Sequence, residues 1–297
     1  MELLNKLCDF CACSGNEKDL ISFISKIAQP YSDEIFTDKL GNLYVRKKCG
    51  EKKIMISTSV DEAGFFATIS DKDDIKIAKI GNIDVNNIKD ALITFENGKN
   101  AIIKGETSDK IENYSVKVFC DDEDDFTGLT ASFVKNFEIN YNYITSKALS
   151  ARIGVYVLLK ILQSELKNYD YFFVFSVKKQ IGAKGAKVIG NNVKPDLAVV
   201  LECFKGDNTA SVILKDKSYV ADKMLSESLV KCGFKGIVDK DYQSEGNAVQ
   251  TSFLGIPTAV CGVGIENLNS RNEVCKINEI KKLIDYILIF LEKENVL

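Results

Sequence analysis

The sequence has no histidine. That absence excludes Ser-His-Asp and Cys-His nucleophile pairs, imidazole metal ligands and histidine general bases. Most zinc hydrolase chemistry is disfavoured before any motif is read. The chain also lacks a surplus of one charge: 39 Lys plus Arg stand against 42 Asp plus Glu, a formal net charge of −3. It therefore has no broad basic field for a nucleic-acid backbone or an anionic membrane. No apolar run approaches the roughly 20 residues that span a bilayer. The opening MELLNKLCDF carries charges inside its apolar stretch, unlike a signal peptide. What is present is ordinary globular composition: 297 residues, 45% hydrophobic and 27% charged, enough for one large domain or two ordinary ones.

Nine cysteines (8, 11, 13, 49, 120, 203, 232, 261, 275) are odd in number and scattered. Free thiols in a reducing, cytoplasmic setting are expected. Cys8, Cys11 and Cys13 form C-x-x-C-x-C. A structural zinc site wants four ligands, and no second Cys pair or His completes this one, so a loop beside a helix is expected. The acidic run Asp121 to Asp125 lacks the alternating spacing and central Gly of an EF-hand and reads as a solvated loop.

Ser14-Gly15-Asn16-Glu17 has the form of a capping box opening a helix whose Ile21, Ile24 and Ile27 share one stripe. Glu34 to Thr37 and Leu43 to Arg46 read as strands joined by the turn Asp38-Lys39-Leu40-Gly41-Asn42. Lys53 to Ser59 reads as a buried strand. From about Phe66 to Lys147 short alternating segments, ending in FEINYNYI, indicate small strands of a barrel or sandwich. After Lys147 strands and helices alternate. Helices are expected at Arg152 to Lys167, Ser218 to Cys232 and Ile277 to Lys293, with strands at Tyr171 to Val177, Asp196 to Glu202, Lys235 to Asp239 and Pro257 to Val263. That order implies an α/β domain with a mostly parallel sheet sandwiched by helices, formed by 1–65 and 148–297, with 66–147 inserted as a small all-β, barrel-like domain. Ligands of such sheets gather at the strands' carboxyl ends, where Asp61, Lys179 and Glu202 fall.

The ordered motifs resemble the dinuclear-metal aminopeptidases of metallopeptidase family 42, which include glutamyl, deblocking and tetrahedral-assembly aminopeptidases. Ser14-Gly15-Asn16-Glu17 is similar to the family's S-G-x-E, Asp38 to Asn42 to D-x-x-G-N, and Asp61 to Phe65 to D-E-x-G-F. Ala148, Leu149, Arg152 and Gly154 fit the frame of A-L-D-D-R-x-G. Gly182 to Ala186 fits V-G-x-x-G-A, and Gly255 to Ala259 fits G-x-P-T-A.

The resemblance implies two Zn or Co ions held by two His and three carboxylates, with a Glu as general base. This chain departs from that set at most positions. Ser59 stands for the first His, Ser150 for the bridging Asp, Lys179-Gln180 for the Glu-Glu pair, and Asn269 for the last His, with Ser270 and Glu273 following. Glu202 remains as a ligand-type carboxylate, and Asp61 remains at the position that orients the first His. Hydroxyls and amides are weak ligands for first-row metals. The expectation is therefore no bound metal, no cofactor and no catalytic residue, with Asp61 and Lys179 in a degenerate site. Ser59, Ser150 and Cys203 near Lys179 do not make a Ser/Lys or Cys nucleophile, because adjacent carboxylates keep the lysine protonated. Lys179 is expected to pair with Glu202 or Asp61, replacing lost metal charge. The function expected is a non-catalytic structural, regulatory or peptide-binding protein; the alternative is an active metal-dependent aminopeptidase with a carboxylate-only site. Expected partners are copies of itself or an active paralogue, with peptides as candidate ligands and neither nucleic acid nor membrane.

Overall fold

The computed structural model describes residues 1–71, 74–84, 88–104, 114–118 and 125–293. Cys120 and the acidic residues Asp121 to Asp124 lie outside them. Three strands come first: β1 (Glu34–Thr37), β2 (Leu43–Lys48) and β3 (Gly50–Ser59). Next are β4 (Gly64–Asp71), β5 (Asp74–Ile80), β6 (Leu92–Phe95), β7 (Asn100–Lys104), β8 (Ser115–Val118) and β9 (Thr130–Phe133). Two short strands, β10 (Glu138–Asn140) and β11 (Tyr143–Ser146), lead back to β12 (Asn168–Ser176), β13 (Leu197–Lys205), β14 (Ala210–Lys215), β15 (Lys235–Val238), β16 (Thr258–Ile265) and β17 (Glu273–Lys276). The helices are α1 (Glu2–Leu7), α2 (Lys18–Ala28), α3 (Leu149–Leu162), α4 (Ala186–Val193), α5 (Lys223–Lys231), α6 (Gly246–Gln250) and α7 (Ile277–Leu291).

Eight strands make one mixed sheet in the order β1-β2-β12-β3-β13-β16-β14-β15. Its centre, β12-β3-β13-β16, is parallel. These central strands read as continuous apolar runs because both faces are covered. Ile54, Ile56, Phe173 and Val199 pack with α1, α2, α3, α5 and α7 on one face. Their neighbours Met55, Val174 and Val200 pack with α4 and α6 on the other. The period-two alternation of strand side chains assigns each residue its layer. Gly154 lets α3 approach β3 closely, since a Cβ there would stand 2.0 Å from the Thr58 hydroxyl oxygen.

β4 to β9 close into a small barrel, β4-β5-β8-β7-β6-β9, with its own apolar core around Phe65, Ile93 and Phe95. The FEINYNYI segment is corrected: it forms β10 and β11, which pair with each other, and β11 pairs in turn with β17, in a three-stranded sheet outside the barrel. Alternation alone does not reveal which partner a strand takes. The helix expected from Ser218 begins only at Lys223, where Asp222 caps it by accepting from the Leu225 amide. The helix expected to reach Lys167 ends at Leu162. The capping box is also corrected. Neither side chain caps α2; Ser14 donates to Asp61 and Glu17 accepts from the Lys178 amide.

Candidate functional site

A cleft of about 820 Å³ opens at the carboxyl ends of β3, β12 and β13. Parallel pairing sets β3 and β12 side by side, with Ser59 opposite Ser176, so the segments that follow converge. Ser59, Asp61, Ser150, Lys179, Gln180, Cys203 and Asn269 all line the cleft. Glu202 is buried in β13 beneath it. The sequence-identified positions are thus brought together.

Asp61 is fully buried and accepts from the backbone amides of Lys179 and Gln180, each at 2.9 Å, and from the Ser14 hydroxyl. Lys178 holds a left-handed φ of 61° that turns those two amides onto the carboxylate. Asp61 therefore fixes the turn carrying Lys179. Beneath the turn, Asn42 accepts from the Val177 amide, and Asp38 in turn accepts from the Leu40, Gly41 and Asn42 amides.

The Lys179 ammonium lies 3.0 Å from Glu202 Oε2. The Tyr242 hydroxyl donates to that same oxygen, and the Glu245 amide donates to Oε1 at 2.6 Å. Burial pulls the ammonium toward its neutral form, but the charge of Glu202 and the other acidic neighbours outweighs it and holds the group well above an ordinary lysine. A protonated Lys179 is not a base. Glu245, also buried, accepts from the Ser176 hydroxyl, and burial followed by the charge of Glu202 pushes its carboxyl group up to about 8.

On the opposite wall, Glu273 joins two more of these positions. It accepts from the Ser150 amide at 2.7 Å, the Ser150 hydroxyl at 2.8 Å and the Asn269 amide at 2.6 Å. Burial nonetheless raises its carboxyl group to about 7. Glu273 thereby satisfies a free amide in the first turn of α3.

These residues do not fit a pair of divalent ions. Both oxygens of Glu202 and both oxygens of Glu273 are already engaged by protein donors. Ser59, Ser150, Gln180 and Asn269 offer only hydroxyls and amides, and the Lys179 cation sits against the Glu202 carboxylate. Among the described residues, no group of three or more His, Cys, Asp or Glu could hold a metal ion.

Tyr242, Glu245 and Ser176 escaped the sequence reading. Tyr242 and Glu245 sit in a segment between β15 and α6 with no periodicity or motif to single them out.

A mixed, mostly parallel eight-stranded sheet between helices, with a small β-barrel inserted after β3 and a cleft at the strand ends, defines an aminopeptidase-type α/β protein. Residues 110–286 match the family model described as M42 glutamyl aminopeptidase, and the chain belongs to that family. The lysyl aminopeptidase of Pyrococcus furiosus is 22% identical over 339 residues, covering 98% of this chain and 96% of that protein. An aminopeptidase from Desulfurococcus kamchatkensis has the same fold at a TM-score of 0.92 and 20% identity, covering 98% of this chain and 94% of that one. The TET1 peptidase of Pyrococcus horikoshii, which can assemble into a tetrahedron or a large octahedral shell, matches at a TM-score of 0.86 and 21% identity, covering 98% of this chain and 99% of that one.

Proposed function

We propose that this chain is an M42-family protein whose metal centre has been replaced by a hydrogen-bonded ionic cluster, and that it serves as a non-catalytic structural, regulatory or peptide-binding protein. The observation that carries this reading is the saturation of Glu202 by the Lys179 ammonium, the Tyr242 hydroxyl and the Glu245 amide. A carboxylate in that state must shed a cation and a hydroxyl before it can bind metal, and the surrounding positions supply no strong ligand to compensate. Self-association belongs to the same proposal, supported by the homologues that form tetrahedral and dodecameric assemblies. So does a cytoplasmic setting, supported by the eight free cysteines among the described residues.

The deciding experiment measures bound metal and peptidase activity on one preparation. The protein is equilibrated with Zn or Co, desalted, analysed for metal, and assayed on aminoacyl substrates. The expected result is no stoichiometric metal and no metal-dependent release of an N-terminal residue. Stoichiometric metal with such release would establish the carboxylate-only aminopeptidase instead. Peptide-induced changes in melting, or co-purification of an active paralogue, separate a peptide binder from an assembly subunit.

A further inference from the structure

Toward the far end of α3 from the cleft, three helices leave an apolar groove of about 490 Å³. Ser150, in the first turn of α3, lines the cleft, whereas Tyr156 and Lys160 line the groove. Ser150 and Lys160 are about 15 Å apart along the helix axis. Each helix supplies two residues three or four apart, the spacing that sets side chains on one face. Leu3 and Lys6 come from α1, Phe23 and Ile27 from α2, and Tyr156 and Lys160 from α3. Leu3, Phe23 and Ile27 are half-buried, packed on the main core on one side and lining the groove on the other.

The groove carries one uncompensated charge. Lys6 pairs with Glu2 at 2.8 Å, so the two cancel. The Lys160 ammonium lies 5.8 Å from the centre of the Tyr156 ring and 3.4 Å from Gln163 Oε1. Among the described residues it has no carboxylate partner. A ring face and one amide oxygen leave an ammonium with donors open to a stronger acceptor. The volume lies in the range of small-molecule sites. A partner helix is about 10–12 Å across and needs anchors over two turns, whereas each wall offers apolar side chains over one turn. A single alkyl chain with one anionic head matches both the shape and the charge.

We propose that this groove binds a medium-chain aliphatic carboxylate, with the alkyl chain along Leu3, Phe23, Ile27 and the Tyr156 ring and the carboxylate on the Lys160 ammonium. The ammonium–carboxylate contact is charge-assisted on both sides and therefore stronger than the amide contact it replaces. The chain covers half-buried apolar side chains that water otherwise reaches. Each methylene buried tightens binding by about fourfold. An amine of the same length keeps the chain but brings a like charge to Lys160, so the headgroup sets the specificity.

The test titrates the full-length protein calorimetrically with octanoate, decanoate and decylammonium, all below micelle-forming concentrations. The expected result is saturable one-to-one binding of decanoate, at least about fourfold tighter than octanoate, and none of decylammonium. Lys160→Met keeps an unbranched apolar stem and removes the charge; it should weaken decanoate binding by at least about tenfold. Ile27→Glu, which sets an anion in the trough, should abolish it, with circular dichroism confirming that both variants fold. Decanoate binding unchanged by Lys160→Met, equal binding of decylammonium, or no saturable binding would overturn the proposal. Self-association lost in Ile27→Glu, without decanoate binding to the parent, would assign the groove to a second copy of the chain and overturn it as well. The groove uses none of the cleft residues, so its outcome is independent of the metal and peptidase measurements.

Discussion

Lys179 and Glu202 form an ion pair at 3.0 Å whose carboxylate partner is buried and whose lysine side chain is 19% exposed. Removing one member leaves the other charge in a poorly solvated place, which outweighs the modest net value of an intact pair. Lys179→Met is expected to cost about 3 kcal/mol, and Glu202→Gln a comparable amount. The double variant should be less destabilised than the sum of the singles by about 1–3 kcal/mol. Urea denaturation of the four proteins gives this cycle directly. Additive single effects would show that the two groups do not need each other.

The cleft also makes stability depend on pH, with a sign opposite to that of an exposed salt bridge. Glu245 is pushed up to about 8 in the folded chain, against the ordinary glutamate value of 4.5 when unfolded. Between those values the folded state binds more protons than the unfolded state, so stability falls as pH rises. Glu273, at about 7, acts in the same direction over the lower part of the window. Stability is therefore expected to decline from about pH 5 to about pH 8. Glu245→Gln should flatten the decline by up to about 1 kcal/mol per pH unit near neutrality. Urea midpoints at several pH values check this. An unchanged slope in the variant would mean that Glu245 is already ionised at neutral pH.

Fold and site differ in how much of them can be read from sequence. The central strands were legible because burial on both faces writes continuous apolar runs such as Lys53 to Ser59. The turn Asp38 to Asn42 was legible because its Asp and Gly are required by local geometry. β14 escaped because Ala210–Lys215 is an ordinary short apolar segment, and its partner β16 is far away in sequence. At the site, Lys179 facing Glu202 could be anticipated because Lys179 follows one parallel strand and Glu202 lies toward the carboxyl end of another. Tyr242 and Glu245 could not, because they reach the same carboxylate from about 40 residues downstream, a separation set by tertiary folding. Ser14 and Glu17 show the converse. Their local pattern suggests a cap, yet tertiary partners, Asp61 and the Lys178 amide, take both side chains.

Arg152 supplies the most demanding test of how the scaffold is held. Its guanidinium is wholly buried in α3 and donates to the carbonyls of Leu7, Val60 and Phe10 as well as to Glu62 Oε1, at 2.7 Å. It thereby ties the end of α1, the exit of β3 and the N-terminal segment to one helix. Lys147 closes the other side of Glu62, at 2.9 Å, and reaches Ser132 in β9, so the network extends into the barrel. Arg152→Met would orphan the buried carbonyls of Leu7 and Val60, leaving the Phe10 carbonyl to Lys147 and Glu62 to Lys147 and the Ala12 amide. Each unsatisfied buried group costs about 1–3 kcal/mol, so a loss of about 2–6 kcal/mol is expected. That is a large part of the 5–15 kcal/mol typical of a folded protein. Arg152→Lys should recover only part of it, because one ammonium cannot reproduce a planar fork reaching carbonyls in different directions. Denaturant midpoints, with circular dichroism to confirm folding, measure both losses. A Met variant within about 1 kcal/mol of the parent, inside the range of ordinary surface substitutions, would show that water or local rearrangement can replace the guanidinium.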